Sequence, residues 1–108
     1  MSDSHDTTAL ALSALGHPAR LALFRLLVRA EPDGLSVNEI AAHLDIPLST
    51  LAHHLRSLKQ AGLITQTRDG RETQTRADLQ TLRGALNFVI SECCKGVPSL
   101  PASQESCQ

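Results

Sequence analysis

The sequence predicts a mainly α-helical domain with about five helices and one small β-hairpin. Apolar residues recur every three or four positions through most of the chain, as they do in helices packed on a core. Two short segments in the second half instead alternate polar with apolar or β-branched residues, around an Asp69-Gly70 turn signal. The 108 residues fit a single domain, which we place at residues 1–96, followed by a Ser-, Pro- and Gln-rich tail at 97–108 that we expect to be flexible.

A break separates the first two predicted helices. The first is expected over residues 6–15, and Gly16 and Pro18 end it. Pro18 suits the first turn of the second helix, where the N–H group that proline lacks would have no helical partner. The second helix is followed by a loop at residues 31–34. Its expected core-facing residues are Leu21, Phe24, Leu27 and Val28.

Two further short helices follow, joined by a tight turn. Ser36 and Glu39 have the spacing of a capping box, so a third helix begins there. The turn Asp45-Ile46-Pro47 separates it from a fourth helix that runs to about Ala61, before the stop signal Gly62. The predicted buried stripes are Val37, Ile40, Ala41 and Leu44 on the third helix, and Leu48, Leu51, Ala52, Leu55 and Leu58 on the fourth.

The hairpin and a last helix complete the predicted domain. The strands are expected at residues 63–67 and 72–76. The helix has Asp78 as its N-cap and ends near Lys95-Gly96. It carries a long apolar stripe, which must be buried against something. The stripe consists of Leu79, Leu82, Leu86, Val89 and Ile90.

The formal net charge of −1 is unevenly distributed along the chain. Residues 1–48 carry a net charge of −3, residues 49–76 carry +3, and residues 77–108 carry −1. Positive charge is thus concentrated in one segment, as in the footprint of a nucleic-acid-binding protein. Phe24 and Phe88 are the only aromatic residues, which argues against single-stranded nucleic acid or RNA bound by base stacking.

Two short helices and a basic hairpin, in this order, are typical of a winged helix-turn-helix, whose second helix enters the DNA major groove. The fourth helix carries short hydrogen-bonding side chains opposite its apolar stripe, as contact with base edges requires. Arg68 and Arg71 flank the hairpin tip, within reach of phosphates or the minor groove. Three alternatives remain open: an ordinary exposed His53 beside a partly buried, capping His54, a solvated hairpin tip, and a surface used for protein contacts. The expected DNA-binding residues are Ser49, Thr50, His53, His54, Arg56, Ser57, Arg68 and Arg71.

The chain resembles the ArsR family of bacterial metalloregulatory repressors over about residues 10–94. Three stretches carry the resemblance: LSALGHPARLALFRLL, SVNEIAAHLDIPLSTLAHHLRSLKQAGLI and TRDGRETQTRAD. One departure is Ala52, where the family often has a serine that contacts DNA. The resemblance implies a homodimer of protomers with five helices and two strands, paired mainly through the first and last helices. A two-fold dimer matches a double-stranded operator with an inverted repeat.

The resemblance also bears on the effector site. The family's cysteine box in the third helix is absent from residues 37–43, and its zinc site in the last helix lacks histidine here. Some arsenic repressors of the family instead place a vicinal cysteine pair at the end of that helix, with a third cysteine beyond it. Cys93, Cys94 and Cys107 match that arrangement. Thiolates suit soft ions, and three of them suit trivalent arsenic or antimony, so arsenite or antimonite is the expected inducer, with no enzymatic cofactor.

Other interpretations of the cysteines remain open. Cys93 or Cys94 would be oxidised in a thiol redox or reactive-sulfur sensor, with Cys107 as the resolving thiol. Cys93 would alternatively be a small buried hydrophobe. An enzyme is not expected, because the sequence contains no phosphate loop, no Cys-x-x-Cys and no defined Ser/His/Asp arrangement. Three cysteines without an export signal or a membrane-spanning apolar run indicate a cytoplasmic protein with no membrane partner.

Overall fold

The computed structural model describes residues 2–91, and their side chains from Ser4 onward. The five predicted helices and the hairpin are present, together with one short strand that the sequence pattern did not predict. In chain order the elements are α1 (Ser2–Leu15), α2 (Pro18–Arg29), β1 (Leu35–Ser36), α3 (Val37–Leu44), α4 (Leu48–Gln60), β2 (Ile64–Asp69), β3 (Glu72–Ala77) and α5 (Leu79–Ile90).

The three strands form one antiparallel sheet in the order β1-β3-β2. Pairing in the hairpin continues to Asp69 and Glu72, which leaves Gly70 and Arg71 as a two-residue loop. Gly70 has a φ of 65°, whereas Arg71 does not have a positive φ. A turn with positive φ only at its first central position favours glycine there. The predicted Asp69-Gly70 turn is therefore wrong by one residue, because Asp69 still pairs in the ladder.

Side chains from every part of the described chain meet in one core. The largest fully buried apolar side chains are Leu23, Leu27, Ile40, Leu51, Leu58 and Leu63. The prediction that Leu21 faces this core is wrong, since it is 43% exposed, and Leu23 and Leu26 are buried instead. Apolar residues surround most of α2, so spacing alone allowed more than one buried face.

Local signals set where the helices begin. Pro18 occupies the first turn of α2, as predicted. The Ser36 hydroxyl accepts a hydrogen bond from the Glu39 backbone N–H at 3.1 Å, and the Glu39 carboxylate accepts one from the Ser36 N–H at 2.8 Å. The capping box of α3 is thus confirmed. Asp78 is confirmed as the N-cap of α5, where it accepts a bond from the Thr81 N–H at 3.2 Å.

α1 packs along α5 and leaves apolar side chains on the outside. Leu79 and Leu82 pack against the core, whereas Leu86, Val89 and Ile90 are 49%, 57% and 62% exposed. No single helix of the described part is long and apolar enough to cross a membrane. α1 and α2 meet the length and composition criteria only when taken together, and they are bent by 96° relative to each other.

Candidate nucleic-acid interface

α4 has a buried side and an exposed side. The prediction that Leu48 and Ala52 belong to the buried stripe is wrong, since Leu48 is 52% exposed and Ala52 is also exposed. Leu48 is the first residue of the helix and lies one turn before Leu51, the first residue that the core covers. Ala52 follows Leu51 and lies about 100° away from it around the helix axis. The buried residues are Leu51, His54, Leu55 and Leu58.

The exposed side of α4 carries polar and cationic side chains. Ser49, Thr50, His53 and Arg56 are exposed, and Ser57 is half-buried at the margin. Hydroxyl, imidazole and guanidinium groups are suited to hydrogen bonds with base edges and phosphates. The structure therefore gathers five of the residues expected to bind DNA on one side of this helix.

The N-terminus of α4 lies at one end of this exposed side. Its N-cap is Pro47, and no side chain caps the helix there by a hydrogen bond. The first-turn N–H groups of a helix have no intrahelical partner, and the helix dipole makes this end positive. A helix that enters DNA with this end presents donors and positive charge to phosphates.

His54 is 7% exposed and lies on the buried side of α4. Its ring centroid is 5.1 Å from that of His17 and 5.7 Å from that of His53. Burial lowers the pKa of His54, and positive charge on His17, Arg20 and His53 lowers it further. His54 is therefore neutral at neutral pH and not presented on the outer face of the helix, which corrects its expected place among the DNA-facing residues.

The histidine cluster ties α4 to the start of α2. The Nδ1 atom of His17 accepts a hydrogen bond from the Ala19 backbone N–H at 3.2 Å, so His17 is the N-cap of α2. Arg20 donates from Nη1 to the Ala14 carbonyl oxygen at 3.5 Å. The junction between α1 and α2 thus lies against the buried side of α4, and the exposed ring of His53 lies beside the buried ring of His54.

Arg68 and Arg71 are exposed at the tip of the hairpin, as predicted. Arg68 donates from Nε to the Gly70 carbonyl oxygen at 3.4 Å, across the turn. Within residues 4–91, neither these two arginines nor Arg56 forms a salt bridge with a carboxylate. The described surface therefore carries unneutralised cations on both α4 and the hairpin.

Arg76 belongs to the same basic segment, but its guanidinium is engaged within the protein. Nε donates to the Pro32 carbonyl oxygen at 3.0 Å, and Nη1 donates to the Thr67 hydroxyl at 3.4 Å. Gln74, on the same strand, donates to the Asp33 carbonyl oxygen at 3.3 Å. No local sequence pattern predicts these bonds, because their backbone partners lie 41 and 44 residues away along the chain.

The cysteines expected to hold the metalloid, Cys93, Cys94 and Cys107, lie outside the described residues. The metalloid site at these cysteines therefore stays a prediction from the sequence. Inside the described part, no three or more His, Cys, Asp or Glu side chains are grouped so that they could hold a metal ion.

Known relatives match the chain along most of its described length. A family model described as a helix-turn-helix domain matches residues 15–67. The chain is 34% identical over 68 residues to an uncharacterised HTH-type transcriptional regulator of Methanocaldococcus jannaschii, across 63% of this chain and 74% of the relative. It is 30% identical over 102 residues to a probable mercury resistance operon repressor of Streptomyces lividans, across 86% of this chain and 79% of the relative. It is 39% identical over 64 residues to a biofilm growth-associated repressor of Agrobacterium fabrum, across 59% of this chain. The chain spans only 52% of the length of that relative.

Two solved structures share the fold. One is a possible transcriptional regulator for arsenical resistance, 34% identical with a TM-score of 0.65, covering 75% of this chain and 81% of that one. The other is the homodimeric winged helix-turn-helix DNA-binding domain of a possible ArsR-family regulator from Mycobacterium bovis. It is 27% identical with a TM-score of 0.68, covering 84% of this chain and 83% of that one. The chain belongs to the ArsR family of winged helix-turn-helix transcriptional regulators.

Membership of the ArsR family assigns a role to each element of the interface. The chain is a DNA-binding transcriptional repressor and not an enzyme. α3 and α4 form its helix-turn-helix, with Asp45-Ile46-Pro47 as the turn. The β2–β3 hairpin is the wing of this ArsR-family domain, and we use that name for residues 64–77 below. The predicted fold class is thereby confirmed.

Proposed function

We propose that this ArsR-family chain acts as a homodimer that represses transcription at an inverted-repeat operator and releases it when trivalent arsenic or antimony binds to cysteine. The observation that carries the DNA part is the exposed side of α4 beside a wing with two unneutralised arginines. A polyanion is the natural partner of such a surface.

Within this proposal, α4 and the wing have different tasks. Ser49, Thr50, His53, Arg56 and Ser57 contact base edges and phosphates in the major groove. At the wing, Arg68 and Arg71 contact phosphates or the adjacent minor groove. His54 is left out, because its buried ring lies behind that of His53.

The outer side of α5 supports the homodimer. Leu86, Val89 and Ile90 are about half exposed or more, although they continue the stripe that packs on the core. Adjacent exposed apolar side chains favour a protein partner over water. The relative from Mycobacterium bovis is a homodimer with the same fold. A two-fold pair presents two α4 helices to half-sites about one helical turn apart, which is why the proposed operator is an inverted repeat.

The effector proposal depends on the three cysteines and on the nature of the relatives. One relative is named for arsenical resistance and another for mercury resistance, and both elements are thiophilic. As(OH)₃ and three thiols of Cys93, Cys94 and Cys107 give one As(S)₃ centre and three water molecules. To act as an inducer, arsenite must bind the DNA-free dimer more tightly than the DNA-bound dimer, by about 1–3 kcal/mol in typical allosteric proteins.

Operator binding measured during effector titration tests the proposal. The probe is a labelled duplex selected by the protein from a random pool, read by fluorescence anisotropy while arsenite, antimonite, zinc, cadmium or polysulfide is added. We expect arsenite and antimonite to dissociate the complex, and Cys93→Ser, Cys94→Ser or Cys107→Ser to reduce that response. Ser106→Ala is a matched tail variant that should respond as wild type. Dissociation by polysulfide but not by arsenite would replace the metalloid proposal with the reactive-sulfur alternative.

A further inference from the structure

Besides the β1–β3 ladder and the buried side chains of its strands, the wing is joined to the rest of the domain by two polar side chains of β3. Arg76 and Gln74 lie two positions apart on β3, so they project from the same face of the sheet. Both donate hydrogen bonds to consecutive backbone carbonyls of the loop between α2 and β1, Arg76 to Pro32 at 3.0 Å and Gln74 to Asp33 at 3.3 Å. We call this arrangement the wing clamp.

The guanidinium of Arg76 also reaches the other strand of the wing. Its Nη1 donates to the Thr67 hydroxyl on β2 at 3.4 Å. Thr67 pairs with Gln74 in the ladder and is therefore a diagonal neighbour of Arg76 across the two strands. A single planar group thus connects the loop with both wing strands, which uses the forked geometry that distinguishes arginine from lysine.

Gly34 shows how closely the loop approaches the strand. It is buried, has a φ of 78°, and donates its N–H to the Ala30 carbonyl oxygen at 2.9 Å. A Cβ at this position would overlap the Thr75 carbonyl and lie 2.7 Å from Cγ of Arg76. The close approach and the positive φ both require glycine.

The clamped loop leads directly into the helix-turn-helix. Leu35 and Ser36 form β1, which pairs with Thr75 and Gln74 of the wing. Ser36 is at the same time the N-cap of α3. The loop, the wing and the first helix of the DNA-binding pair are therefore joined within a few residues.

We propose that Arg76 is a positioning residue for DNA binding: it holds the wing relative to α3 and α4 so that Arg68 and Arg71 meet the DNA when α4 occupies the major groove. The inference rests on the proposed wing contact and adds a role for a cation that contacts no phosphate itself. A wing already fixed in its bound orientation loses less conformational freedom on binding, which raises affinity.

Three variants probe the clamp, each in the wild-type protein and in an Arg68→Ala/Arg71→Ala background. Arg76→Ala removes the clamp and one charge. Arg76→Lys keeps the charge but not the planar fork. Gln74→Ala weakens the clamp with no change of charge. Arg25→Ala, at an exposed position of α2, is the control for the loss of a positive charge.

The measurements are operator affinity by anisotropy, its dependence on salt concentration, and thermal unfolding as a check of folding. We expect Arg76→Ala and Arg76→Lys to weaken binding about three- to tenfold in the wild-type protein, Gln74→Ala less, and Arg25→Ala hardly at all. In the Arg68→Ala/Arg71→Ala background the effect of all three clamp variants should nearly vanish, because residues that act through one another are not additive. If Arg76→Ala unfolds, the other two variants carry the test.

Two results would overturn the inference while leaving the proposed function intact. In the first, Arg76→Lys binds as wild type, and Arg76→Ala weakens binding equally in both backgrounds and lowers the salt slope by about one, as loss of a direct phosphate contact does. In the second, the clamp variants bind as wild type although the Arg68→Ala/Arg71→Ala pair binds weakly. If that pair itself binds as wild type, the proposed wing contact is wrong, and the positioning role is overturned with it.

Discussion

α4 and α5 are helices of similar length, 13 and 12 residues, yet the side chains that they expose differ in their main character. α4 exposes hydroxyl, imidazole and guanidinium groups, whereas the outer side of α5 exposes Leu86, Val89 and Ile90. A polar face is stable in water without a partner, but a contiguous apolar face is better covered. The difference indicates two kinds of partner, a polyanion for α4 and an apolar surface, proposed to be a second copy of the chain, for α5.

The two surfaces should respond differently to salt. If Arg56, Arg68 and Arg71 of both protomers neutralise phosphates, raising salt from about 50 to about 200 mM should weaken operator binding roughly a thousandfold. Dimerisation through apolar side chains should be unchanged or stronger, because burial of apolar surface is not screened by ions. Anisotropy measures the first and analytical ultracentrifugation the second. A dimer that dissociates as salt rises would contradict the apolar interface.

A charge on the outer side of α5 should weaken the proposed dimer. Val89→Glu is expected to weaken dimerisation roughly a hundredfold or more, because a carboxylate in an apolar interface loses its hydration without gaining a partner. Operator affinity should fall with it. Leu48→Glu is the matched control, since Leu48 is a similarly exposed apolar residue on α4. It should remain dimeric in sedimentation experiments and weaken only DNA binding; dissociation of both variants would argue against α5 as the interface.

Removal of one cation from α4 should have a smaller effect that is confined to DNA. Arg56→Ala is expected to cost about 1–3 kcal/mol of operator affinity if Arg56 contacts a base edge, and to relax specificity at that base pair. Arg25→Ala, with the same change of charge on α2, should leave affinity almost unchanged. The measurement is anisotropy against duplexes with single base-pair changes. Equal losses from both variants would indicate a nonspecific effect of net charge.

The smallest expected effect concerns pH. The pKa of His54 is lowered in the folded state, so between that pKa and the ordinary histidine value of about 6.5 the unfolded chain binds more protons. The contribution of neutral His54 to stability is therefore complete above about pH 6.5 and is lost as pH falls through the folded-state pKa. Urea unfolding from about pH 7.5 to about pH 5.5 should show this decline, and His54→Gln should reduce it. An unchanged pH profile in that variant would assign the decline to other groups.

Local sequence signals predicted most of the fold. The capping box of Ser36 and Glu39, the N-cap Asp78 and the proline at the start of α2 each act within one helical turn, so the sequence contains all of their partners. The wing was predicted for the same reason, although its turn lies one residue later. Its tip arginines were placed correctly because Arg71 lies in that turn and Arg68 is two residues before it.

Features that depend on distant partners were not predicted. His54 was expected among the DNA-facing residues, with a partly buried capping role as the alternative, and its contact with His17, 37 residues earlier in the chain, was not predicted. Which face of α2 is buried depends on what packs against it, so Leu23 is buried where Leu21 was expected to be. β1 is only two residues long and is defined by its pairing with β3 rather than by any pattern of its own. Arg76 was counted only in the net charge of the basic segment 49–76, because charge alone does not show that its donors are engaged.

Ser36 is both the last residue of β1 and the N-cap of α3, and this double role determines where the domain tolerates insertions and substitutions. An insertion in the loop at residues 30–34 would displace the wing and the helix-turn-helix together, since both are anchored at its end. The exposed positions of α4 have no such constraint, because their side chains lie outside the core. We therefore expect operator preference to be adjustable by substitution at residues 49, 50, 53 and 56, while the length of the loop stays fixed. New DNA sequences are then accessible to this scaffold through side-chain replacement alone.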